Sequence, residues 1–268
     1  MFPTPDGTTI HILMSKFIVG LLIFIRITGM FITAPMFRSM AIIPQVKIFL
    51  AILLATVMTN QFWVDQPNIE FHLWNILVLV IKELTLGSII GFAANMVFNA
   101  ARMAGGLIDF EMGFQAATLF DPMSNNPTLF GELKELLALM IFLLLNGHLQ
   151  LIETIFVSIR AVPLTTMGLS NSFFILTIKL ITTVFILAIK IAAPVLMALF
   201  CTNLALALLA RVAPQTNIFI ISFQMKVAVG LLIYFALIPM LFYVLKWALS
   251  QMQEQTLEML LTLYPGRT

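Results

Sequence analysis

The stretch 102–135, RMAGGLIDFEMGFQAATLFDPMSNNPTLFGELKE, decides how the rest of the chain reads. It is the longest interruption in a sequence otherwise built of membrane-length apolar runs. Gly105-Gly106 opens it, and Asp109, Glu111 and Asp121 stand among Phe110, Phe114 and Phe120. Asp121-Pro122 and Asn126-Pro127 close it. Irregular backbone of this kind does not lie open to lipid, where each unpaired polar group costs several kcal/mol. The stretch is therefore expected to line a protein-enclosed or aqueous space.

Composition sets the class. The chain has 268 residues, of which 61% are hydrophobic and 10% charged, with a mean hydropathy of +1.06. Soluble domains are about 45–50% apolar and about 25% charged. An all-α, integral membrane-type protein follows, with about six long, kinked apolar helices or hairpins. Net charge is +2 without a basic run, which argues against nucleic acid as a partner. Cys201 stands alone in an apolar run and permits no internal disulfide. The N-terminal MFPTPDGTTIH lacks a basic region, and no cleaved signal peptide is expected.

Before the central stretch lie three apolar runs: 10–37, 46–63 and 71–98. Arg26 is deep in the first, and a charge at that depth faces protein or water rather than lipid. Trp63 and Trp74 flank the second break as interface aromatics do. The third carries Lys82-Glu83, adjacent residues that cannot face each other on a helix and so need other partners. It also carries Gly87 and Gly91, a small-xxx-small step that admits a close neighbour.

After the central stretch, the run 136–159 contains Asn146-Gly147-His148, which predicts a kink or turnaround. His148 reads as a packed histidine rather than a proton carrier. Pro163 and residues 168–171 form a linker. The run 173–209 is too long for a straight crossing of a ~30 Å core. Lys179 and Lys190 share one of its faces, and Pro194 is expected to kink it. The turn Arg211 to Gln215 sends the chain back along 218–249, which carries Lys226 and Pro239, so these runs form one long helical hairpin. The tail 251–268 reads as a short amphipathic helix. Basic residues are spread too evenly to orient the chain by the positive-inside rule.

No Walker loop, dinucleotide fingerprint, HExxH, GxSxG or Cys/His cluster occurs. Asp109 and Glu111 are two apart and point to different helical faces, so they read as solvated loop charges rather than an acid/base pair. No enzyme is expected, and no catalytic, metal or cofactor set.

Four segments resemble one family in order along the chain. These are Arg26 with 34–37, APMF, then Ile43-Pro44 and Lys47; 106–114, GLIDFEMGF, with 119–122, LFDP; 143–148, LLLNGH; and Ala193-Pro194-Val195 with 210–219, ARVAPQTNIF, and Lys226. Together they resemble the FliR/SctT family of type III secretion export-gate proteins, with wording closer to its flagellar members. Asn146 stands where an acidic residue is expected, which argues against a proton role there.

The resemblance implies a FliP-like part over 1–165, a FliQ-like hairpin over 166–250 and a C-terminal tail over 251–268. It implies one copy of this chain joined to FliP and FliQ, with FlhB around the entrance and unfolded flagellar subunits as cargo. It places the complex in the bacterial inner membrane and flagellar basal body, raised toward the periplasm. It implies that a loop at about 105–122 plugs the pore. Gly105, Gly106, Leu107, Ile108, Asp109, Phe110, Glu111, Met112, Gly113, Phe114, Leu119 and Phe120 would form this gate, with the glycines giving it freedom to move. Arg26, Lys82, Glu83, Arg102, Lys179, Lys190, Arg211 and Lys226 would make inter-subunit or buried polar contacts. The competing reading is a small-molecule or ion transporter using Arg26, Lys82, Glu83 and Lys190 along a path. Such a transporter should show matched repeats, and no second copy of the central stretch exists.

Overall fold

The computed structural model describes residues 7–38, 42–66, 73–114, 128–168, 171–215 and 217–263. Every regular element among them is helical: α1 Gly7–Thr33, α2 Pro35–Arg38, α3 Pro44–Phe62, α4 Leu73–Met112, α5 Leu129–Leu144, α6 Gly147–Ala161, α7 Asn171–Val212, α8 Ile218–Ala236 and α9 Ile238–Thr262. A short 3₁₀ turn, Trp63–Asp65, follows α3. Among the described residues, four helices are long and apolar enough to cross a membrane, or up to six if each of two bent pairs counts as one span.

Local chemistry explains the breaks. Pro44 sits in the first turn of α3, where its missing N–H costs nothing. Asn146 adopts a left-handed backbone, φ 56°, and separates α5 from α6 as the Asn-Gly-His sequence predicts. α8 and α9 are bent by 58° just before Pro239, which cannot donate into a continuous helix. Pro194, by contrast, lies inside an unbroken α7 of 42 residues.

Two expectations need correction. The central stretch is expected to be irregular from Arg102, yet residues 102–112 are the last turns of α4. Gly105 and Gly106 do not stop the helix; Gly105 packs against the backbone of Gly131 in α5. The tail 251–262 is helical as expected, but it is the continuation of α9 and not a helix of its own. Nothing after Leu249 interrupts the helix: the segment from Ser250 to Thr262 contains neither glycine nor proline.

The described chain divides into two compact units, each assembled from several stretches. One comprises Met1–Asn95, Asn146–Leu180 and Gln251–Thr268. In it, α1 buries Val19, Leu22, Ile23, Ile27 and Met30 and packs on α3. The glycines of α4 form its close contact with α1. A Cβ on Gly87 would collide with the backbone oxygen of Arg26, and one on Gly91 with Thr33 Oγ1. Thr33 Oγ1 also donates to Ser88 O at 3.1 Å. The small-xxx-small step is thus a helix contact face.

The other unit comprises Met96–Leu145 and Ile181–Ser250. Its core includes Ala100, Ala101, Ala104, Ile108, Met112, Phe130, Phe142, Leu199 and Tyr234. The central stretch begins here.

Candidate functional site

The end of α4 meets the start of α5 at a polar junction inside the second unit. α4 stops in a Schellman arrangement. Gly113 N–H donates to Phe110 O at 3.1 Å and Phe114 N–H to Asp109 O at 3.0 Å. Gly113 has φ +87°, a left-handed backbone that glycine adopts without strain. Phe114 then packs against Phe130 and Phe223, with ring centroids 6.0 and 5.9 Å apart.

α5 is capped from another helix. Its own Thr128 precedes the first turn but makes no side-chain cap bond. The Asp109 carboxylate takes that place. It accepts from Phe130 N–H at 3.1 and 3.0 Å and from Gly131 N–H at 3.3 Å. These are the second and third N–H groups of the helix, the pair a local cap would satisfy. The negative charge also complements the positive end of the α5 dipole. The close approach that permits this bond pattern comes from two glycines. A Cβ on Gly105 would overlap the Gly131 backbone and Phe130 O.

Lys134 lies one turn further along α5 and is buried, with 3% exposure. Its charge interacts with Asp109, and its Nζ stands 5.7 Å from the Tyr234 ring centre. Tyr234 in turn packs edge-on against Phe130 at 5.0 Å. On the other face of α4, Glu111 Oε1 accepts from Asn203 Nδ2 at 2.5 Å. Met112 is fully buried, its side chain seated where Gly230 has none. Phe110, between them in sequence, is 67% exposed.

This arrangement corrects the reading of Asp109 and Glu111 as solvated loop charges. Asp109 is fully buried, and both carboxylates accept hydrogen bonds within the chain. Their divergence to two faces of the helix was as expected. Nor do Gly105 and Gly106 give freedom of movement in a loop, since both are helical. Leu107 is half-buried and Ile108 fully buried. Leu119, Phe120 and the rest of 115–127 lie outside the described residues.

A second polar cluster belongs to the first unit. Arg26, fully buried, donates from Nε to Glu83 Oε2 at 2.5 Å. Its two terminal nitrogens donate to Ser158 Oγ at 3.2 Å and Val162 O at 3.1 Å. One guanidinium therefore joins α1, α4 and the end of α6.

The sequence profile described as "Bacterial export proteins, family 1" matches residues 17–252. The chain belongs to the FliR family of bacterial export proteins. It is 31% identical over 220 residues to the flagellar biosynthetic protein FliR of Escherichia coli (strain K12), covering 81% of this chain and 83% of that protein. It is 31% identical over 234 residues to the FliR of Bacillus subtilis (strain 168), covering 84% and 88%. It is 30% identical over 174 residues to the Yop proteins translocation protein T of Yersinia pestis, covering 63% and 66%. With its apolar helices, this FliR-family chain is a membrane-associated component of a type III secretion export apparatus of the flagellar kind.

The remaining charges expected at contacts are more scattered. Arg102 is not buried. Its side chain is 53% exposed and pairs with Glu135 inside the same unit, through Nε at 2.6 Å. Lys190 stands over the Trp247 ring, 5.7 Å from its centre. Lys179 and Arg211 are exposed, and Lys82 and Lys226 half-buried. Sequence reasoning missed Gly131, Lys134, Asn203, Gly230 and Tyr234. Asn203 offered a signal, as an amide within an apolar run. The notch at Gly230 offered none, because a glycine's partner is set by tertiary packing.

Proposed function

We propose that this chain is the FliR-type subunit of a flagellar export gate, a protein-conducting channel that passes unfolded flagellar subunits. One copy would assemble with FliP and FliQ, with FlhB at the entrance, and much of the complex would stand above the inner membrane toward the periplasm. Residues 1–165 would act as the FliP-like part, 166–250 as the FliQ-like hairpin and 251–268 as the tail. Each compact unit draws on both of the larger segments, so the fusion is proposed for chain order and not for separately folding bodies.

Closure is proposed for the central stretch, at about 105–122. The observation that supports it is the junction at Asp109, which ties the end of α4 to the start of α5. Two ends held in this way fix where the stretch leaves one helix and enters the next. Met112 and Phe114 would brace the seal from inside the chain, and Phe110 would present an aromatic face to the path. Bulky apolar side chains at a constriction exclude water and ions.

The test deletes residues 115–122, which leaves Asp109, Gly113 and Phe114 in place. The altered chain is produced with FliP and FliQ, co-purification is checked, and ion conductance across the membrane is measured. A complex that assembles and leaks is the expected outcome. One that assembles and stays tight places the seal elsewhere.

A further inference from the structure

Beside the junction is a small pocket of about 20 Å³, lined by Lys134, Pro194, Val195, Tyr234, Ile238 and Leu241 among others. We propose that it holds a single ordered water molecule that accepts from Lys134 Nζ and bridges to Tyr234 Oη. This inference does not depend on the export reading.

Three observations converge on it. Tyr234 is 6% exposed, and its hydroxyl is buried with no hydrogen-bond partner among the described residues. A buried hydroxyl left unpaired carries a full desolvation penalty, so the site demands a donor or acceptor. Lys134 carries three N–H donors, and its Nζ stands over the Tyr234 ring at the same pocket. The ring face is no hydrogen-bond acceptor of oxygen type, and Asp109 is already engaged by two backbone N–H groups. Finally, the pocket suits one water. Roughly 10–15 Å³ is the least that admits one, given two to four polar partners.

The wall of the pocket adds to the case. Pro194 lacks an N–H, so the carbonyl of Lys190, four residues earlier on α7, loses its helical donor. Ile238 opens α9 just beyond the 58° break. Ordered water commonly satisfies backbone groups freed by proline within apolar helices. Direct bonding between Lys134 and Tyr234 is not an alternative in this geometry, because Nζ stands over the ring and the hydroxyl has no partner. The water keeps Lys134 solvated while its charge stays close to Asp109.

A map of the assembled complex at a resolution that shows individual waters tests this. A discrete peak within hydrogen-bond distance of both Lys134 Nζ and Tyr234 Oη is expected. Tyr234→Phe keeps the ring and removes the hydroxyl. It should weaken or abolish the peak and lower the thermal midpoint of the complex. An empty pocket would overturn the proposal. So would a Tyr234 hydroxyl bonded to a neighbouring subunit. A peak that gains anomalous signal when chloride is replaced by bromide would identify an anion in place of water, and would also overturn it. The unmutated map decides these outcomes even if the variant fails to assemble.

Discussion

Asp109→Ala is expected to prevent recovery of a stable complex. The change removes the acceptor for Phe130 and Gly131 N–H and leaves both donors buried at the start of α5. A lost cap costs about 0.5–2 kcal/mol. The loss is compounded at Lys134, which stays buried without the field of a nearby negative charge. The total stability that these losses draw on is about 5–15 kcal/mol. Asp109→Asn separates the two effects. Asparagine keeps an oxygen for the cap but not the charge, so it should lie between wild type and alanine. Adding Lys134→Met to Asp109→Asn should then recover part of the loss. Thermal midpoint and yield of the purified complex measure the series. An Asp109→Ala complex as stable as wild type would mean that α5 is capped some other way.

Arg26→Met should cost about 3–5 kcal/mol, because removing one partner of a buried ion pair leaves the other charge unpaired. Methionine fits the space but leaves Glu83 as an unpaired charge at 0% exposure. It also takes a donor from Ser158 and from Val162 O. Arg26→Lys should not rescue. An ammonium is a point charge, whereas the guanidinium reaches three acceptors with a fixed fork. Pairing Arg26→Met with Glu83→Leu should restore much of the stability, since an apolar pair of similar volume avoids the buried charge altogether. The level of each variant in membranes and its midpoint provide the readout. Equal loss in the single and the double variants would show that the pair is not the source of the effect.

The helices and their breaks were largely legible in the sequence. Asn146-Gly147-His148 announced a break because asparagine tolerates the left-handed backbone found there. Gly87 and Gly91 announced a close helix contact because spacing by four puts them on one face. The same rule fixed the divergence of Asp109 and Glu111. The end of α4 was misread, although its stop signal was visible. Gly113 is the glycine that ends the helix, while Gly105 and Gly106 sit within it. A glycine that allows a turn and one that allows backbone contact look the same in sequence; only the second helix, carrying Gly131, tells them apart. Asp109 illustrates a second limit. Capping rules read locally, and they point to Thr128, which makes no cap bond. The residue that does the capping is 21 positions from Phe130. Lys134 gave no signal of its own, because hydropathy cannot foresee a lysine placed over a tyrosine ring.

The most direct test of the proposed gate is contact with cargo. Phe110 is exposed at the end of α4 while Met112, two residues on, is fully buried. Cysteine placed at Phe110 in the assembled complex should cross-link to a cysteine in an export substrate stalled during passage, and cysteine at Met112 should not. Cross-linking of Phe110→Cys to neighbouring subunits or lipid alone, while the stalled substrate links to another part of the chain, would contradict a path along the central stretch.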